Sequence, residues 1–171
     1  MKLPFNYTLI ERGELPALER KGCLAQEMIG KDLILVVFHQ THTECISLND
    51  LPIPKLEKKF KKVPRPGIDD TIVVGSLRKL SEINLVDVLT IEGRSARGKH
   101  WSERLEMLRL LCDSFSEEGK KQFPLARQWD RGLLKVFDEV VESSGSGLLI
   151  RVPGKPQALL CTPKKKQKDV Q

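Results

Sequence analysis

Apolar residues in this chain come in short blocks divided by polar, glycine and proline breaks. The densest block is Leu33-Ile34-Leu35-Val36-Val37-Phe38. Its length and β-branched content predict a buried strand. Residues 43–47 follow as its hairpin partner, with Gln40-Thr41-His42 as the turn. Further strands are predicted at 5–11, 23–27, 71–74, 83–91, 148–152 and 158–162. Residues 14–19 read as a loop or short helix limited by Pro16. Leu56 and Phe60 stand four apart and predict a short helix over 55–62, ended by Pro64-Arg65-Pro66-Gly67. Residues 93–98 read as a basic loop. Trp101, Leu105, Leu108, Leu111 and Phe115 recur at helical steps and share a face. A second helix is predicted over 130–141, with Asp130 as N-cap and Leu133, Leu134, Phe137 and Val141 inward. Strands outnumber helices, which predicts an α+β domain of antiparallel sheets with flanking helices.

The 171 residues suit one domain with a sizeable core. No apolar run approaches the ~18 residues of a membrane span, and the N-terminus lacks the features of a secretory signal. Cys23, Cys45, Cys112 and Cys161 form no C-x-x-C pair, so reduced, buried thiols and a cytoplasmic or nuclear setting are expected. The net charge of +6 is concentrated in two clusters. One comprises Lys55, Lys58, Lys59, Lys61, Lys62 and Arg65. The other comprises Lys155 and the basic tail after residue 162, which resembles a nuclear localisation patch. Such clusters neutralise phosphates, or simply solvate a linker and a disordered tail.

From Asp87 onward the motifs fall in a recognisable order. Val86-Asp87-Val88-Leu89-Thr90-Ile91-Glu92-Gly93 precedes Ser102-Glu103-Arg104 with Leu108, then Ser146-Gly147-Leu148-Leu149-Ile150-Arg151. This order resembles the nucleotidyltransferase core of the ATP-dependent nucleic-acid ligase and capping-enzyme superfamily. There it reads Phe-Asp-x-Leu-x-x-x-Gly, Ser-Glu-Arg-x-x-x-Leu and Glu-Gly-Leu-Val-Ile-Arg. Upstream, Glu27-Met28-Ile29-Gly30-Lys31 stands where the family has Glu-Lys-x-Asp-Gly. Ser47-Leu48-Asn49-Asp50 replaces Arg-x-Gly, and Val74-Gly75-Ser76-Leu77 replaces Asp-Gly-Glu-Leu. The resemblance therefore implies the fold with its chemistry removed. Met28 replaces the nucleophilic lysine, Ser76 and Ser146 replace metal-holding carboxylates, and Val86 replaces the aromatic that stacks on adenine.

Transfer of a nucleotide to lysine needs an amine, a divalent metal and carboxylates to hold it. Neither serine supplies the negative charge a hard cation requires. A catalytically inactive module for nucleic-acid binding or complex assembly is thus expected, with no cofactor and no metal. Residues 1–162 form the expected core and 163–171 its tail. The family's OB-fold would follow the last core motif, and the twenty residues after Arg151 are too few for it. Candidate nucleic-acid contacts are Arg151, Lys155 and Lys79 at the cleft rim and Lys58, Lys59, Lys61 and Lys62 on a flank. A protein partner covering the cleft or a sheet edge fits the same reading. The alternative is an active ligase or nucleotidyltransferase using Lys31. Strand parity sets positions 28 and 31 on opposite faces and argues against it. A fold unrelated to ligases, binding nucleic acid through its basic clusters, is a further possibility. Finally, His39, His42, Glu44 and Cys45 carry metal-ligating atoms, but on a hairpin they are expected to diverge as a polar tip.

Overall fold

The computed structural model describes residues 1–78 and 82–164, and of Arg78 the backbone. Lys79 and the tail from residue 165 lie outside the described residues. Among the described residues, ten strands and five α-helices follow in chain order. They are β1 (Tyr7–Ile10), α1 (Leu15–Arg20), β2 (Leu24–Met28), β3 (Leu33–Phe38), β4 (Thr43–Ser47), α2 (Pro54–Lys59), β5 (Thr71–Arg78) and β6 (Glu82–Ile91). There follow β7 (Arg94–Ser95), α3 (Trp101–Asp113), α4 (Glu117–Gln122), β8 (Gln128–Trp129), α5 (Leu133–Glu142), β9 (Gly147–Arg151) and β10 (Ala158–Cys161).

The strands form two five-stranded sheets, ordered β1-β10-β9-β2-β8 and β4-β3-β5-β6-β7. Pairing is antiparallel except for β1 beside β10. The two-residue period of a strand sorts the apolar blocks into layers. Ile34, Val36 and Phe38 pack with Leu105, Leu108 and Leu111 of α3 on the outer face of the second sheet. Leu33 and Leu35 point the other way, into a layer shared with Met28 and Leu149 of the first sheet. On the outer face of that first sheet, Leu148 and Ile150 meet Leu15 and Leu18 of α1 and Phe137 and Val140 of α5. The apolar runs are continuous because both faces of these strands are covered.

Two details depart from the sequence reading. Helix α5 begins at Leu133, and Gly132 rather than Asp130 is its N-cap. The first amide of the helix, Leu133 N–H, donates to the Glu19 carboxylate of α1 at 2.8 Å, so the cap comes from another helix. The inward residues of α5 are Leu133, Val136, Phe137 and Val140, with Leu134 and Val141 only partly buried. Residues 94–95, read as loop, pair with β6 as a short strand.

Strand β6 carries two register shifts against β5, which skip Leu89 and Val86. Each places an extra apolar residue in the layer between the sheets. The second shift turns Asp87 into that layer as well, opposite Val74.

Candidate functional site

After Met28 the chain leaves the first sheet, and Ile29, Gly30, Lys31 and Asp32 carry it across to β3 in the second. Backbone and side-chain bonds hold this crossing in place. Ser146 N–H donates to the Met28 carbonyl at 2.7 Å. Gly30 N–H donates to the Ser76 hydroxyl at 2.9 Å, and that hydroxyl donates to the Gly30 carbonyl at 3.3 Å. Three residues far apart in sequence, Met28, Ser76 and Ser146, therefore gather at one crossing. Ser76 is fully buried and faces the Gly30 backbone.

Two adjoining hollows open here. One, of about 580 Å³, is lined by Met28, Lys31, Asp32, Ser47, Asn49 and Leu77 among others. The second, of about 550 Å³, shares Met28 and Lys31 and adds Ser144, Ser146 and Lys164. Lys31 is exposed and lies in the crossing rather than on a strand. The parity argument that set it opposite Met28 does not apply, because alternation holds only within a strand. Among the described residues, Lys31 and Lys164 are the cations lining these hollows.

Gly30 is constrained by contact. A Cβ at this position would stand 1.6 Å from the Leu77 carbonyl oxygen. The crossing is thus pressed against β5 at the place where the resemblance puts an aspartate. Gly147 closes the other side, with φ of 129° and space for a Cβ only 1.9 Å from the Cys161 carbonyl oxygen.

Arg151 does not line the rim. It shares strand parity with Leu149, so its side chain enters the layer between the sheets and is 1% exposed. There Asp87 receives Arg104 Nε at 2.8 Å and Nη2 at 3.1 Å, and Arg151 Nη2 at 2.8 Å. Arg151 Nε donates to Gln26 Oε1 at 2.8 Å, and its guanidinium lies 4.3 Å from the Phe5 ring centroid. Burial lowers the guanidinium pKa from its ordinary value, Asp87 opposes that shift, and neighbouring Arg104 adds to it. The Ser-Glu-Arg and Asp-x-Leu motifs meet here as an internal ion cluster. Val86 is also buried, and its carbonyl accepts from Gln26 and Arg151.

Lys155 is exposed but lies past the far end of β9. Gly147 pairs with Met28 at the hollow, whereas Arg151 pairs with Leu24, about 14 Å further along at the usual strand rise. Lys58, Lys59, Lys61 and Lys62 are exposed on α2 and the segment after it. Glu27, which the resemblance sets at the acid of the first motif, is bound by Arg127 at 2.8 and 2.9 Å.

At the β3–β4 turn the side chains converge rather than diverge. The ligating atoms of His39, His42 and Glu44 all lie within 4.8 Å of one another. Cys45 points to the opposite face and is buried. Burial, with Glu57 and Glu44 nearby, pushes its thiol up to about 12.

No protein-family model matches the sequence, and no curated protein matches it. Solved structures do match in fold. A mycobacterial DNA ligase D complexed with ATP and MES aligns with a TM-score of 0.70 at 12% identity, over 96% of this chain and 62% of that one. The ligase domain of LigD from M. tuberculosis gives 0.64 at 13% identity, over 91% and 59%. A Lig E DNA ligase, described under DNA binding with a minimal scaffold, gives 0.57 at 12%, over 93% and 68%. The chain thus spans about three fifths of the length of the first two. No helix among the described residues is long and apolar enough to cross a membrane. In fold, this chain is similar to the DNA ligase domains among these solved structures.

Proposed function

We propose that the chain is a catalytically silent ligase-fold module that associates with nucleic acid, alone or beside a protein partner. The observation that carries this reading is the closure at Gly30. Where the resembling enzymes hold a carboxylate, the backbone lies against Leu77 and leaves no room for a side chain. The charged side chains among the described residues lining the two hollows are Lys31, Asp32 and Lys164. One carboxylate is a poor cradle for a hard dication and a triphosphate. Ser76 spends its hydroxyl on Gly30, and Met28 offers no amine.

Nucleic-acid association is supported by the fold's DNA-ligase neighbours and by the exposed lysines of the α2 flank, with Lys31 and Lys164 beside the hollows. Fluorescence anisotropy with labelled duplex DNA, single-stranded DNA and RNA tests this. Binding should weaken steeply with salt, at a log–log slope of about −0.9 per duplex phosphate neutralised. A flat salt response or no binding overturns it.

A second reading has one observation in its favour. Lys31 lines both hollows beside Met28, which makes it the available amine for an active ligase or nucleotidyltransferase. Incubation with labelled ATP and Mg²⁺ or Mn²⁺ separates the readings. A covalent label lost in Lys31→Ala supports the second, and its absence from the parent supports the first.

A further inference from the structure

We propose that the tip of the β3–β4 hairpin is a divalent transition-metal site formed by His39, His42 and Glu44, separate from the hollows at Met28. The turn is tight, with His39 N–H donating to the His42 carbonyl at 2.9 Å. It stacks the two imidazoles at 4.5 Å between centroids and 21° between planes. Glu44 lies on β4 just after the turn, and its carboxylate comes within 4.8 Å of the ligating nitrogens of both rings. His39 Nε2 and Glu44 Oε2 stand 3.4 Å apart. That separation matches the edge of a tetrahedron with metal–ligand bonds of about 2.0–2.1 Å. An ordinary ion pair accounts for His39 with Glu44, but gives no reason for the second imidazole over the first.

The Thr41 hydroxyl lies 3.2 Å from His42 Nδ1. With Nδ1–H donating to it, the Nε2 lone pair is left free for a metal, the usual role of a partner behind a histidine ligand. The thiol of Cys45 takes no part, because it points into the core on the other face. Two imidazoles and one carboxylate suit zinc and its first-row neighbours rather than magnesium or calcium. Three protein ligands leave a coordination position for water or an anion. The Thr43 hydroxyl donates to the Lys62 carbonyl at 3.3 Å, so the tip adjoins the basic segment after α2. A bound dication would add positive charge beside Lys61 and Lys62.

The test is calorimetric titration of the tag-free full chain with zinc chloride, with cobalt(II) absorbance as a second readout. One equivalent of zinc is expected per chain, with magnesium unable to compete. His42→Ala and Glu44→Gln should each weaken binding roughly tenfold or more, and Thr41→Val by about tenfold. His100→Ala should bind as the parent does. Cobalt should give visible ligand-field bands without thiolate charge-transfer absorption. Circular dichroism of each variant shows that the fold is kept. Zinc binding that survives His39→Ala/His42→Ala, a thiolate band removed by Cys45→Ser, or no stoichiometric zinc binding by the folded parent overturns the proposal.

Discussion

Replacing Asp87 by asparagine removes the one carboxylate that two buried guanidiniums share. Asp87 is fully buried and accepts Arg104 through both oxygens, Arg151 through Oδ2 and its neighbour Val88 N–H through Oδ1 at 2.7 Å. Asparagine keeps one acceptor oxygen and turns the other into a donor facing a guanidinium. At an effective dielectric of about 20, each charge pair near 4 Å contributes roughly 4 kcal/mol. Repulsion between the two arginines and the cost of burying all three groups offset part of this. Removing one partner of a buried pair typically costs about 3–5 kcal/mol, and Asp87→Asn is expected in that range. Arg151→Met should cost less, about 1–3 kcal/mol, because the two-point Arg104–Asp87 pair survives and a surplus buried cation is removed. Urea unfolding followed by tryptophan fluorescence measures both. The reasoning fails if Asp87→Asn costs under about 1 kcal/mol, or if Arg151→Met is the more damaging change.

Gly30→Ala should lower stability by about 3 kcal/mol through overpacking against Leu77, read as a lower Tm; an unchanged Tm would show that the crossing yields easily. Burial pushes the Cys45 and Cys112 thiols up to about 12 from an ordinary 9. Both stay neutral in the fold while an unfolded chain ionises. Their contribution is therefore complete below pH 9 and is lost between about 9 and 12. Urea midpoints of the parent across that window should fall more than those of Cys45→Ala/Cys112→Ala, and equal slopes would contradict the assignment. Reversing Lys58, Lys59, Lys61 and Lys62 to glutamate should flatten the salt dependence of duplex binding by up to about 3.6 in log–log slope. An unchanged slope would remove that flank from the interface.

Much of this fold was legible in local pattern. The apolar run 33–38 and the residues 43–47 became β3 and β4 at the expected bounds, since continuous β-branched residues fit a strand covered on both faces. The α3 stripe of Trp101, Leu105, Leu108 and Leu111 faces the core as its spacing required. Helix α4 was missed because Glu117–Gln122 has no apolar periodicity. Its one local signal was Ser116, whose hydroxyl accepts from Gly119 N–H at 3.1 Å. Strand β8 exists through pairing with β2 and had no signal of its own length.

The site was legible in its gathering and not in its details. The family resemblance, not spacing, put positions 28, 76 and 146 in one region; in the fold the Gly30 crossing ties Met28 to Ser146 and Gly30 to Ser76. Arg151 was read as a surface cation, but parity with Leu149 and a buried Asp87 draw it inward. The Asp87 position depends on a β-bulge that no residue type announces. Lys31 was kept as the alternative nucleophile but weighed down by a strand rule, in a segment that is not strand. The histidine pair was discounted because the tightness of the His39–His42 turn is a backbone property.

Intact-mass spectrometry tests the central claim most directly. The purified chain is incubated with each of the four ribonucleoside triphosphates and Mg²⁺ or Mn²⁺, beside a Met28→Lys variant. The parent and the variant should both keep their unmodified masses, since on the proposed reading an amine at position 28 still lacks the carboxylates that the resembling family carries at positions 30, 76 and 146. A mass increase of one nucleotide monophosphate on the parent, mapped to Lys31, would contradict the account.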